Sequence, residues 1–484
     1  MSAPATPASF AARQRAGDLP LTGADAFLRS FDAECRRFGR ASHLSQLVLR
    51  LGPGFDPERF QTTLAEAARA HPILRAPVVR RFAALYPVYR TTRPSPRLPV
   101  VSVHAPDVTG VAARSAQAPA HPALAPGVPL PALFGDRVNE ILQLERGELL
   151  RVDLVPRADG GTDFAMTWAH LLFDGSGSEH FVAWLARCGD GATRVDALGA
   201  DEGGGAGLDE TPAAFFRALR AKGDRARAWQ RQIRALASIP PRSPGGRLSR
   251  ARQATRYERL TLRGDASERF LARAKEKAGV LTPVLFPLAA SIRAHAALFR
   301  ARGVLPRSFV VPVVANARPK GAASGAEAIF RTHVAMLWFR ALAEETADLD
   351  GLVRALRTRR AELLKRHFLE DGLAALDVAR IAPRRAYAFG VRRVFGGELA
   401  SFFFAYTGEF LPRTATFFGA PIEDGFHVPG VPASPGSALV FSLRDGRLGV
   451  THVWQDGVED ADERALLRRA LLDDLVGSDG AGTP

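Results

Sequence analysis

His170 is the residue of this chain best suited to moving a proton, because of what surrounds it in the sequence. It ends the run Trp168-Ala169-His170 and stands four residues before Asp174, which Gly175 follows. An imidazole titrates near neutral pH, so it can act as a general base once a second group fixes its tautomer and orientation. Asp174 lies beyond a turn and is read as pointing away from the ring to brace the loop. A base held in this way can deprotonate a hydroxyl or an amine as that group attacks an activated carbonyl.

The elements that must position this histidine follow from the neighbouring pattern. Phe164, Met166, Trp168 and His170 alternate with Ala165, Thr167 and Ala169, which is the period of a β-strand. Asp159-Gly160-Gly161 supplies a turn that folds Leu150 to Val155 back as a hairpin partner. Ser176 and Glu179 have capping-box spacing ahead of Trp184 and Leu185, so a helix is expected to open there. His170 is therefore expected at a strand end, at the mouth of a helix.

With these residues in view, the chain resembles the chloramphenicol-acetyltransferase-like superfamily, which takes in peptide-synthetase condensation domains, plant BAHD acyltransferases and bacterial wax ester synthases. The His-x-x-x-Asp-Gly motif at 170–175 carries the resemblance, and ordered secondary stretches extend it over nearly the whole chain. These are Pro20 to Leu28, the strand Gln46 to Leu51, the helix start Phe55 to Arg59, and His71-Pro72-Ile73-Leu74-Arg75-Ala76. Further on come the strand Val310 to Arg318, the stretch Phe404-Ala405-Tyr406-Thr407-Gly408, the strand Leu448 to Thr451, and a helix from about Asp460 to Leu475.

The resemblance implies an α/β fold of two chloramphenicol-acetyltransferase-like subdomains forming a pseudo-dimer with a central tunnel. It makes His170 and Asp174 the catalytic pair, with His170 as general base and Asp174 in a structural salt bridge with Arg318. Gly175, Trp168, Tyr406 and Thr407 become candidate tunnel or substrate-binding residues. Gly175 would let a pantetheine arm pass close to the backbone, and Tyr406 or Thr407 would line the tunnel or stabilise an oxyanion. His180 and His333 are read as structural. The sequence departs from its relatives at Ala169, where condensation domains carry a first histidine, and at Ala405, which replaces an asparagine. Arg331-Thr332 stands where many relatives have Gly-Asn, and the Asp-Phe-Gly-Trp-Gly stretch of plant BAHD enzymes is absent.

Bulk properties bound the rest. At 484 residues, with 46% hydrophobic and 24% charged residues, the chain has the make-up of a soluble protein of two domains. The strongest apolar candidate, Ala278 to Ile292, is short and contains Pro283 and Pro287, so no transmembrane segment is expected. Two cysteines, Cys35 and Cys188, and no basic-then-apolar leader point to the cytoplasm. The 11 histidines show no ligand spacing, so no metal site is expected. A net charge of +15 comes almost entirely from arginine, without the aromatic interleaving or reader motif of a specific nucleic-acid binder. A basic surface favours acidic partners, among them a carrier protein, coenzyme A phosphates or anionic lipid at a membrane surface.

Along the chain, residues 1–18 are expected to be disordered and 19–198 to form the N-terminal subdomain carrying the motif. Residues 199–250 make a glycine-dense linker and a basic helix, 251–476 the C-terminal subdomain, and 477–484 a flexible tail. In the basic helix Thr211-Pro212 marks the start, Phe215, Leu219, Ala226, Trp229, Ile233 and Leu236 share one face, and Arg217, Arg220, Arg227, Arg231 and Arg234 run beside it. That stripe reads as a solvated face or as a docking surface. The expected activity is acyl transfer from an acyl-CoA or acyl carrier protein to a small-molecule hydroxyl or amine acceptor, in natural-product or lipid biosynthesis. The expectation is that no cofactor is permanently bound, that the thioester is a co-substrate, that no carrier domain is fused, and that the chain is a monomer. Two alternatives stay open: a non-catalytic scaffold with the same fold, and a peripheral lipid- or polyanion-binding protein.

Overall fold

The structure is a computed structural model and describes residues 17–38, 41–80, 86–106, 121–125, 129–196, 212–247, 254–318, 326–383, 386, 389–390, 393–432 and 434–477. Most of segment 1–18, the glycine-dense part of the linker and all but the first residue of the tail lie outside the described residues.

Two six-stranded sheets carry the fold. The first is built on the hairpin read from the sequence, with β6 (Leu150–Pro156) returning as β7 (Thr162–Ala169) and Leu150 opposite Trp168. Gly160 turns the chain at φ 82°, a left-handed conformation that glycine adopts without a Cβ penalty. Beside β7 on its other edge lies β2 (Leu44–Leu51), with Leu44 opposite Ala169. The sheet ends at β5 (Val100–Val103), parallel to β6. A small sheet of β1 (Leu19–Pro20), β4 (Val88–Tyr89) and β3 (Val78–Val79) lies apart from these.

The far edge of the first sheet comes from the second half of the chain. The strands β12 (Thr416–Phe417) and β13 (Ala420–Val428) join it, β13 running antiparallel to β2 with His427 opposite Leu47. Residues beyond 251 thus lend two strands to the sheet of the first half. Periodicity cannot reveal this crossing, because a borrowed strand alternates like any other.

The second sheet contains β8 (Thr255–Thr261), β9 (Ser308–Asn316), β10 (Val334–Leu342), β11 (Phe403–Glu409), β14 (Ser437–Arg444) and β15 (Arg447–Gln455). Its order is β10-β9-β11-β14-β15-β8, with parallel pairing of β11 to both β9 and β14. Each sheet has its own apolar core, around Phe60, Phe164 and Trp168 in one and Phe286, Phe309 and Phe441 in the other. A third cluster joins them, in which Val48, Ala165 and Phe426 of the first sheet meet Ala438 and Val453 of the second. The alternation on β7 follows this arrangement: its bulky face fills the first core, and its small face, at Ala165, sits in the joining cluster.

In chain order the helices are α1 (Gly23–Phe38), α2 (Pro57–Ala70), α3 (Ala132–Arg137), α4 (Gly175–Gly189), α5 (Pro212–Ala237), α6 (Gly264–Ala278), α7 (Leu285–Ala301), α8 (Ala326–Ile329), α9 (Leu349–Lys365), α10 (Phe368–Ala379) and α11 (Ala461–Val476). In α2 the expected start is present, Asp56 accepting the Arg59 amide at 2.9 Å. In α4 the cap differs from the expectation. Asp174, not Ser176, is the N-cap, and its carboxylate takes the Gly177 amide. Glu179 is buried in the first turns rather than reaching back as a capping box would require. On α5, Trp229 and Ile233 face the core, Trp229 packing 6.4 Å from Phe368 at the start of α10. Arg220, Arg227, Arg231 and Arg234 are exposed, while the side chains of Phe215 and Arg217 lie outside the described residues. Among the described residues no helix is long and apolar enough to cross a membrane.

Candidate active site

The turn after β7 is pinned by one carbonyl. Phe173 O accepts the Trp168 indole N–H at 3.0 Å and lies 3.2 Å from His170 Nδ1. A carbonyl only accepts, so Nδ1 carries the hydrogen and Nε2 keeps the free lone pair. The His170 amide donates to His43 O at 3.1 Å, which fixes the backbone as well. Burial holds the His170 pKa below its usual value, against the opposing pull of the Asp174 charge and the backbone contacts. At neutral pH the ring is therefore an uncharged base of defined tautomer.

Asp174 and Arg318 form a buried ion pair, with side chains 4% and 8% exposed. One Asp174 oxygen, Oδ1, takes both the Arg318 guanidinium and the Gly177 amide, and the other accepts the His333 amide at 2.8 Å. With both oxygens so engaged, the carboxylate braces the turn rather than the imidazole. Arg318 reaches it from just beyond β9, its own position fixed by Ala328 O at 2.8 Å and Asn316 Oδ1 at 3.2 Å. The brace thus spans the two sheets.

Arg331-Thr332, which departs from the Gly-Asn of relatives, is pressed against this turn. Arg331 has a left-handed φ of 77°, donates its amide to Leu172 O at 2.7 Å and bridges Phe173. Glycine adopts that conformation freely and arginine does not. Here the guanidinium bonds Pro20 O and the next amide bonds Asp25 Oδ1, contacts that hold the arginine in place.

A cavity of about 390 Å³ lies between the sheets where the tunnel is expected, a size typical of small-molecule sites. Trp168, His170, Gly175, Tyr406 and Thr407 all line it. So does His333, which the sequence reading treats as merely structural. One arm is apolar, walled by Phe27, Phe31, Met336, Leu399 and Phe403. The Thr407 hydroxyl donates to Phe441 O at 3.3 Å, so its hydrogen is directed away from an oxyanion. Burial raises the Tyr406 pKa, which keeps that phenol a donor. A Cβ on Gly175 would meet only His427 Cε1, at 3.9 Å, so this glycine is not required by packing. A Cβ on Gly177 would lie 2.4 Å from Ile329 O. The glycine the fold demands is two residues further on.

Two further histidines reach the site that sequence reasoning missed. His43 precedes β2 and stacks on His170, ring centroids 5.1 Å apart and planes inclined by 23°. His427 arrives on the borrowed strand β13, its Nε2 3.1 Å from Ser178 Oγ. Burial takes both rings to pKa values of about 3, so both are neutral. Strand register could have placed His43, one residue before the partner of Ala169, but no local signal could have placed His427. Glu179 lies 3.8 Å from His427 Nδ1, and burial raises its carboxyl to about 8. Ser178, His427 and Glu179 are not a nucleophilic triad. Ser178 is fully buried, and its hydroxyl donates to Gly175 O at 2.7 Å. Among the described residues no group of three or more His, Cys, Asp or Glu side chains could hold a metal ion.

No protein-family profile matches the chain, and no curated protein matches it by sequence. Solved structures do resemble it along its whole length. The first condensation domain of the calcium-dependent antibiotic synthetase, with a bound substrate analogue, superposes with a TM-score of 0.66 at 17% identity, covering 96% of this chain and 98% of that one. The TRI3 trichothecene 15-O-acetyltransferase from Fusarium sporotrichioides gives 0.60 at 14% identity, over 98% and 99% of the two chains. SgcC5 from Streptomyces globisporus, in complex with a naphthyl ethanediol, gives 0.58 at 15% identity over 95% and 98%. The fold is that of condensation domains and their acyltransferase relatives, as the motif resemblance implies.

Proposed function

We propose that this chain, with its condensation-domain fold, is an acyltransferase using a thioester donor and a hydroxyl or amine acceptor. The observation that supports this most is His170 itself: an uncharged imidazole at the cavity wall, its Nδ1 hydrogen committed to Phe173 O and its Nε2 free. The acceptor's O–H or N–H proton passes to Nε2 as its heteroatom bonds to the thioester carbonyl carbon. The resulting oxyanion collapses, the C–S bond breaks, and the leaving thiolate takes the proton back from the imidazolium. Tyr406 is a donor on the cavity wall within which that oxyanion would form. The apolar arm suits an apolar part of one substrate.

The donor is a coenzyme A or carrier-protein thioester in this reading, supplied as a co-substrate, and no resident cofactor takes part. The exposed arginines of α5 suit an acidic carrier or the phosphates of coenzyme A. The similar structures are a condensation domain, an O-acetyltransferase and a protein in complex with a diol, and they favour natural-product chemistry for this chain as well. A panel of acyl-CoA and acyl-pantetheine thioesters, assayed for thiol release with alcohols and amines, tests the proposal. Acceptor-dependent thiol release that is lost in His170→Ala supports it. Release unchanged in a folded His170→Ala protein, or none with any donor, sinks it.

A further inference from the structure

The stretch that departs most plainly from condensation domains is Ala169, which leaves the motif without its first histidine. Ala169 packs in the apolar core with Leu44, and a second imidazole reaches His170 from the neighbouring strand instead. Leu44 pairs with Ala169, so the residue before it, His43, comes beside His170. The His170 amide bonds His43 O, and the rings stack at 5.1 Å.

His43 is itself held from three sides. Its amide donates to Asp32 Oδ1 on α1 at 3.1 Å, and its Nε2 donates to Gly430 O at 3.2 Å. Phe31 meets its ring edge-on at 5.5 Å. Gly430 is glycine for a reason: a Cβ there would lie 2.8 Å from His43 Cδ2 and 2.4 Å from Leu44 O. The backbone comes this close only because no side chain intervenes.

We infer that His43 is a positioning residue for the base, its stacked ring fixing the plane of His170 and steadying the cation that forms when Nε2 takes a proton. The face of an aromatic ring attracts a cation within about 6 Å of its centroid. A neutral His43 presents such a face, whereas a charged one would repel. The other titratable groups around His170 leave this role open. Asp174 is engaged by Arg318, His427 on β13 is neutral, and the His333 ring is turned to Phe330 O, 3.2 Å from its Nε2.

This inference rests on the acyl-transfer reading for its kinetic consequence but not for its titration. The test compares His43→Phe, which keeps an aromatic face, with His43→Leu, which keeps bulk alone. With a turned-over thioester, His43→Leu should lose about tenfold in kcat with KM within about twofold, and His43→Phe should recover most of that loss. The acid limb of the rate profile should move to lower pH in His43→Leu, because the imidazolium is less stable. The NMR titration of the His170 ring, read without substrate, should move the same way. Equal kcat and equal His170 titration in the Leu and Phe variants would overturn the inference. If no thioester is turned over by any of the proteins while the titration still separates the two variants, the stack stands and the acyl-transfer reading falls.

Discussion

Asp174 and Arg318 close the histidine turn from opposite sheets, and the same carboxylate caps the helix that follows. One oxygen serves the guanidinium and the Gly177 amide, and the other serves the His333 amide. Removing either partner strands a buried charge, which costs about 3–5 kcal/mol. Asp174→Asn and Arg318→Gln should each lower the free energy of unfolding, measured in urea, by an amount of that order. The double variant should lose less than the sum, with a coupling of about 1–3 kcal/mol. Strictly additive losses would mean that the pair does not act as a unit.

His170→Ala should lower kcat/KM by about 10² to 10⁴ in a protein that stays folded, since it removes proton abstraction while the Asp174–Arg318 pair still holds the turn. The pH profile carries a sign. Burial lowers the His170 pKa from 6.5, so the ring stays neutral below that pH and the acid limb of kcat/KM should fall at a pH under 6.5. A limb centred above 6.5 that disappears in His170→Ala would contradict the burial of the ring.

What the sequence made legible was local. The hairpin from Leu150 to Ala169 rests on period-two spacing and a glycine turn, both of which act over a few residues. Arg318 as the partner of Asp174 came with the motif resemblance, since nothing near either residue points to the other. Three features stayed hidden for one shared reason, that they are made by pairing across long separations. His43 is placed by strand register, His427 by a borrowed strand 249 residues from Ser178, and Arg331 by a turn against Leu172. The misplaced cap on α4 has another cause. Ser176 and Asp174 both satisfy the preference for a short polar side chain at a helix start, and spacing alone cannot choose between them.

Gly175 and Gly177 should respond differently to the same substitution. Gly175→Ala should leave stability unchanged, because its Cβ meets only a ring carbon at 3.9 Å. Gly175→Trp should instead fill the cavity, raising the donor KM or stopping turnover with little change in melting temperature. Gly177→Ala drives a methyl to 2.4 Å from Ile329 O and to 3.1 Å from the Arg318 guanidinium. It should cost about 1–3 kcal/mol by overpacking. A Gly177→Ala protein as stable as wild type would show that α8 yields easily and that the close approach is incidental.

On β15, opposite Leu439, His452 forms a buried pair with Glu459, Nε2 to Oε2 at 3.0 Å, and the pair should set the alkaline limit of stability. Burial alone would lower the His452 pKa, but Glu459 and Glu258 outweigh it and push the ring up to about 9. A base whose folded pKa is raised stabilises the fold fully below its unfolded value of 6.5, and that stability is lost as pH climbs through 9. Glu459 behaves oppositely: burial is outweighed by His452, the carboxyl is held low, and its stabilisation is lost only in acid. The pair should therefore contribute most between pH 4.5 and 6.5, the two unperturbed values. Urea unfolding at pH 6, 7.5 and 9, conditions of about the right spacing to follow the titration, should show wild type losing on the order of 3 kcal/mol across the series. The double variant His452→Gln/Glu459→Gln, which leaves no unpaired carboxyl in the buried site, should be less stable at pH ~6 and nearly flat above it, because neither position has a proton to lose. Parallel pH dependences in the two proteins would show that His452 is not charged in the fold.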